Sequence, residues 1–145
     1  MIFFIEDRAQ PERYRTVVVE DDPDYFEAGE MRVFNLGTES LAMRLAGETV
    51  VIPGGGQREV AIEASESGNV EVLAAKRENG DAGSWRLIYS TTWGLAEGDR
   101  TVVFLRPHGR TISVERFPEN VPFVRNMRQK LLNQVEFPGE SGIAR

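Results

Sequence analysis

The sequence contains no cysteine, one histidine and only two lysines, Lys76 and Lys130, among its 17 basic residues. Without cysteine, disulfide frameworks, thiol nucleophiles and cysteine-ligated zinc are excluded. The lone His108 supplies neither the paired imidazoles common at metal sites nor the oriented base of a serine hydrolase. Within Pro107-His108-Gly109 it reads as an exposed turn residue. Long apolar runs are missing as well. The longest, such as Ile2–Ile5 and Val17–Val19, are strand-sized, far short of the ~20 residues of a membrane helix, so no membrane span is expected. A net charge of −6 argues against nonspecific nucleic-acid binding, which depends on neutralising phosphates. The preference for arginine over lysine requires no arginine-specific chemistry.

What is present is an ordinary globular composition, 41% hydrophobic and 28% charged over 145 residues. That length fits one domain, which buries roughly 70% of its unfolded surface without staples. The organising stretch is Met31–Ile62, MRVFNLGTESLAMRLAGETVVIPGGGQREVAI. Its apolar residues recur at every second position, the period of a half-buried strand. Phe34 and Leu36 share one face and Met31 and Val33 the other. Leu41, Met43 and Leu45 point one way, with Arg44 opposite, and Val50, Ile52, Val60 and Ile62 continue the pattern. Gly47-Glu48 fits a type II′ hairpin loop, and Pro53-Gly54-Gly55-Gly56 a turn. Ile2–Ile5 and Tyr14–Glu20 read as earlier strands. Asn69–Ala75, Trp85–Tyr89, Thr101–Leu105 and Ile112–Val114 read as later ones, and Thr101–Leu105 looks buried on both faces.

Turn clusters near residues 37, 47, 55, 68, 80, 96 and 109 complete the rhythm of an antiparallel all-β sandwich, Ig-like or jelly-roll-like, of about eight to ten strands. The sandwich is assigned to residues 1–119. Residues 120–145 form a C-terminal helix and tail, either part of the same domain or an association element. Asn120 is the expected N-cap, with Pro122 in the first turn. Val124, Met127, Leu131, Leu132 and Val135 follow helical spacing, and the helix should end before Pro138. Residues 106–145 carry 7 basic and 4 acidic side chains, against 10 and 19 in residues 1–105. A basic helix on an acidic body is expected to dock on its own sheet or on that of a neighbouring copy.

Glu20-Asp-Asp-Pro-Asp24 places four carboxylates in five residues, but it lacks the alternating ligands, central glycine and closing glutamate of a calcium loop. A solvated turn is expected there. The Asn79/Asp81 pair is too sparse for a metal. The PGGG turn is followed by a strand pattern, where a phosphate loop needs a helix and Lys-Ser/Thr. Gly139-Glu-Ser-Gly142 fails as a nucleophile elbow, because Ile143 stands where the second glycine belongs. No pair of the 23 acidic residues is marked out for glycosidase work. No catalytic residue, metal or cofactor is therefore expected.

Binding residues are easier to nominate. Trp85 and Tyr89 share the parity of Leu87 and are expected in the core. Trp93 lies beyond that alternation and is a candidate for an exposed aromatic contact, with Arg86 and Arg100 as polar neighbours. On the helix the candidates are Arg125, Arg128 and Lys130.

The order AGEMRVFNLG, LAMRLAGETVVIPGGG, QREVAI, SWRLIYSTTW, GDRTVVFL resembles exported bacterial Ig-like β-sandwich domains of unknown function. In these a G-x-x-R-x-x-N strand precedes a hairpin and a Pro-Gly turn. Gly29, Arg32, Asn35 and Pro53-Gly54 occupy those places, within a resemblance covering roughly residues 28–106. It implies a periplasmic or secreted setting and a binding or structural role, and it carries no catalytic residues. The opening Met1-Ile-Phe-Phe-Ile-Glu6 has neither the basic n-region nor the cleavage site of a signal peptide, which leaves the cytoplasm open too. The expected function is a non-enzymatic binding or assembly module of the bacterial envelope. It would engage a protein partner or a second copy, as a homo-oligomer, through a sheet edge or the C-terminal helix. The alternative is a small-ligand or carbohydrate-binding module using exposed aromatics.

Overall fold

A computed structural model of the chain describes residues 1–6, 10, 12–62, 68–78 and 83–134. The strands are β1 (Ile2–Glu6), β2 (Tyr14–Val18), β3 (Glu30–Asn35), β4 (Leu41–Leu45), β5 (Glu48–Ile52), β6 (Gln57–Ala61), β7 (Asn69–Arg77), β8 (Trp85–Gly94), β9 (Asp99–His108) and β10 (Thr111–Asn120). Helix α1 (Val121–Gln134) follows directly. The expected helix end before Pro138, Val135, the Gly139–Gly142 segment and the Asn79/Asp81 pair lie outside the described residues.

Two four-stranded sheets, β10-β9-β3-β6 and β5-β4-β7-β8, make the sandwich, and β1-β2 forms a separate hairpin. The expectation of an antiparallel sandwich with a C-terminal helix is met with one qualification. β3 and β9 run parallel, pairing Met31 with Thr101 through Asn35 with Leu105. A parallel pair needs a crossover, and here the crossover contains the whole second sheet.

β3 and β9 are central strands buried on both faces. One face packs Met31, Val33, Val103 and Leu105 against Leu41, Met43, Leu45, Val72 and Trp93 of the opposite sheet. The other packs Phe34, Val102 and Phe104 beneath Val17, Val19 and Phe26. Period-2 alternation divides Met31, Val33, Phe34 and Val102–Leu105 between these two cores. The ring of Phe3 meets that of Phe104 edge-on at 5.0 Å, and Phe34 lies 5.3 Å from Phe104. The hairpin is thereby fixed as a third layer over the outer face of the β10-β9-β3-β6 sheet.

The residues of the G-x-x-R-x-x-N strand all prove to be structural. Gly29 has φ +82° and bridges two elements, donating to Asp99 O at 2.8 Å and accepting from Ile62 N at 2.8 Å. Asn35 is fully buried. Its Nδ2 donates to Glu39 O, Ile52 O and Pro53 O at 2.8, 3.1 and 3.2 Å, and its Oδ1 accepts from Gly37 N at 2.9 Å. One side chain therefore ties the β3–β4 turn to the end of β5. Gly54 completes the joint, since a Cβ there would sit 2.0 Å from Thr38 O.

Two local expectations are corrected. The β4–β5 loop is Ala46-Gly47, not Gly47-Glu48, because Leu45 pairs with Glu48. Ala46 and Gly47 both have positive φ, +49° and +87°, as a type I′ turn requires. In β8, Trp85 and Leu87 point outward, at 38% and 56% exposure. The cause is a register shift against Ala74/Ala75, where Ala74 pairs with Tyr89 and Ala75 with Leu87, leaving Ile88 as the extra residue. A bulge flips the parity of everything beyond it. Tyr89 alone of the expected pair packs against the core.

Candidate interaction surface

The acidic turn after β2 keeps Glu20 and Asp24 exposed, as its composition implied, and it also receives three arginines. Arg100, fully buried, donates from Nη2 to Asp21 Oδ1 at 2.7 Å, from Nη1 to Phe26 O at 2.9 Å and from Nε to Glu119 Oε2 at 2.8 Å. Arg128 reaches Asp21 O at 2.8 Å from α1, and Arg125 reaches Asp24 Oδ1 at 3.0 Å. Among the described residues no group of three or more His, Cys, Asp or Glu is arranged to hold a metal ion.

Arg32, from the neighbouring strand, supports the same segment. It donates to Tyr25 O at 2.9 Å and Glu20 O at 3.3 Å. Its Nε lies 2.9 Å from Glu59 Oε1, within ion-pair range but off the N–H direction, so that N–H makes no aligned hydrogen bond. Both guanidiniums lie over the Phe26 ring, Arg32 at 4.5 Å and Arg100 at 5.0 Å from its centroid. Apart from the Glu59 ion pair, these Arg32 contacts join its charge to a ring face or to backbone carbonyls.

Of the nominated binding residues, Arg100 is therefore a buried strut and is not available to a ligand. Trp93 is corrected likewise. It is 3% exposed, donates from Nε1 to the Tyr89 hydroxyl at 3.2 Å and is capped by Arg116, 4.8 Å above its ring. The bulge that turned Trp85 outward is what turned Trp93 inward. Arg86 stands at the far end of the sandwich, paired with Glu78 at 2.9 Å.

The helix candidates stand differently. Asn120 Oδ1 accepts from Phe123 N at 3.2 Å, so α1 begins on the expected cap. Val121 is the buried residue of the described helix. Arg125 and Arg128 hold the helix on the acidic turn, and Lys130 is exposed. Phe123, Met127 and Leu131, four residues apart, remain 65%, 43% and 57% exposed, with Leu132 beside them at 60%. This helix is attached by its charges and leaves its apolar row in solvent, the reverse of an ordinary amphipathic surface helix.

No family model matches the sequence, and no curated protein matches it. Solved structures do. The membrane-binding domain of pneumolysin is similar at a TM-score of 0.45 and 14% identity, covering 65% of this chain and 99% of that one. A structure described as the sugar binding protein pneumolysin gives a TM-score of 0.43 and 14% identity over 66% of this chain. A non-hemolytic pneumolysin from Streptococcus pneumoniae strain ST306 gives 0.43 and 13% over 66%. The chain spans 24% of the length of each of the latter two. At these values the likeness assigns neither ligand nor partner to this chain.

Sequence reasoning overlooked two further exposed apolar faces. Ile2, Phe4 and Val18 stand 62%, 70% and 70% exposed on the outside of the hairpin. Val51, at 47%, shares a row with Ala42, Ala75 and Leu87 across the outer face of the β5-β4-β7-β8 sheet. The first was readable in strict β1 alternation, in which Phe3 and Ile5 must face opposite to Ile2 and Phe4. The second was hidden by the bulge.

Proposed function

We propose that this domain is a non-enzymatic association module that engages a protein partner or a second copy through α1. The carrying observation is the apolar row Phe123–Met127–Leu131 with Leu132, held clear of the body by the Arg125 and Arg128 clasps. Large apolar side chains grouped in this way cost solvation free energy until they are covered, and the helix-in-groove mode supplies such a cover. The carbohydrate alternative loses Trp93, the aromatic on which it rested. A bacterial envelope setting is proposed on the resemblance of residues 28–106 alone.

The test is sedimentation of the full chain across a concentration series, together with cross-linking in cells, for the natural sequence and for Met127→Glu/Leu131→Glu. Both positions are exposed, so the variant should fold normally. The expected result is association, with itself or with a cross-linked protein, that the variant loses. Identical sedimentation and identical cross-links for the two proteins would remove the helix as the contact.

A further inference from the structure

We infer that the end of the sandwich remote from α1 is a binding site for a compact oxyanion, a phosphate monoester or a carboxylate. The whole length of β10 separates the two ends, so this site is independent of the helix.

The site is a cleft of about 310 Å³ lined by Glu39, Lys76, Arg77, Glu78, Arg86 and Arg110, at the lower end of ligand-sized pockets. Three connections bring these residues together. Lys76 and Arg77 end β7 and are the register partners of Arg86 and Trp85 in β8. Glu39 comes from the β3–β4 turn. Arg110 comes from the two-residue β9–β10 loop, which is fixed by the His108–Thr111 pair and by Gly109 at φ +56°.

The charge does not balance. Among the described residues, four cations face two carboxylates in this cleft, although the chain as a whole carries −6. Both carboxylates are engaged, Glu39 with Lys76 and Glu78 with Arg86. Among the described residues, neither Arg77 nor Arg110 has a carboxylate partner. Arg77 is placed by a different contact, its guanidinium lying 4.7 Å from the Trp85 ring centroid. The N–H edge of a guanidinium matches two oxygens of a phosphate or carboxylate. Like charges gathered without counter-charge are destabilising, and an oxyanion between Arg77 and Arg110 relieves the repulsion.

The test is a titration of the full chain with inorganic phosphate and, separately, with glucuronate, following arginine Nε–Hε resonances at constant ionic strength with chloride as reference. The expected result is saturable shifts at Arg77 and Arg110, and affinity about tenfold or more weaker in Arg77→Ala/Arg110→Ala, the loss of one charge-assisted contact or more. Arg110→Glu, a single change in an exposed turn, should abolish binding while leaving the backbone amide spectrum elsewhere unchanged. Tighter binding of phosphate names a phosphoryl source, and tighter binding of glucuronate a carboxylate source. Linear shifts that match those with chloride, or saturable shifts that survive both variants, overturn the inference.

Discussion

Glu119 accepts two hydrogen bonds from Arg100, one from Nε at 2.8 Å and one from Nη2 at 2.5 Å. The guanidinium is fully buried, whereas the Glu119 side chain keeps 31% and that of Asp21 40% of their surface in water. Removing the arginine is therefore not symmetrical with removing either acid. Arg100→Met strips the donor from Phe26 O and leaves the Glu119 carboxylate without its cation, while Arg128 still serves Asp21. It should cost about 3 kcal/mol, the low end for breaking a buried pair because the acids can rehydrate. Glu119→Gln keeps an acceptor in place and should cost about 1 kcal/mol. Urea unfolding of the two single variants and the double variant measures the difference. Additive losses would show that the pair is not coupled.

How far the sequence disclosed this arrangement depends on which face of a strand is considered. Two-residue periodicity located the strands, and the cap at Asn120 located the helix, because both signals are local. The double burial of Thr101–Leu105 was also legible, as a run too apolar for a strand with one wet face. Arg32 and Arg100 were not read as core. An arginine in a strand is ordinarily solvent-facing, and here its charge is matched by Asp21, Glu59 and Glu119, which come from other parts of the chain. Their parity was nevertheless available, since Arg32 shares a face with Phe34, and Arg100 with Val102 and Phe104. Of the candidate surface, Arg125, Arg128 and Lys130 were found from charge segregation. That the helix would dock through its arginines and expose Met127 and Leu131 was not legible, since it depends on the acidic turn lying beneath it.

The joint between β3 and β5 should be the least tolerant part of the β3–β6 region. Asn35→Ala removes the donor shared by the Glu39, Ile52 and Pro53 carbonyls and the acceptor of the Gly37 N–H, and should cost about 3 kcal/mol. Asn35→Asp should be no better, because it replaces three donated hydrogen bonds with a carboxylate facing carbonyl oxygens. Gly54→Ala places a methyl 2.0 Å from Thr38 O, a backbone clash that side-chain rotation cannot relieve, with an expected loss of about 3 kcal/mol or more. Gly47→Ala is the control. Nothing lies within 4 Å of its Cβ position, yet its φ is +87°, so only backbone strain of about 1–2 kcal/mol applies. Denaturation midpoints should rank Gly47→Ala well above Gly54→Ala. Equal losses would mean that the turn, and not the contact with Thr38, sets the requirement.

The bulge at Ile88 makes the two tryptophans spectroscopically distinct. Trp93, buried and bonded to Tyr89, should emit at short wavelength and resist acrylamide, whereas Trp85, at 38% exposure beneath Arg77, should emit further to the red and be quenched. Trp85→Phe should therefore remove most of the quenchable fluorescence at little cost in stability. Trp93→Phe should remove the protected component and, by emptying part of the central core, lower stability by about 2 kcal/mol or more. Deleting Ile88 supplies the stronger check. It places Tyr89 directly after Leu87, so that plain alternation keeps Trp85 and Leu87 on the outer face and Tyr89 and Trp93 on the inner one, as observed. The deletion variant should therefore fold and keep one protected and one quenchable tryptophan. A variant in which both tryptophans become accessible to quencher would show that the β7–β8 register needs Ile88 itself and not merely the change of parity it makes.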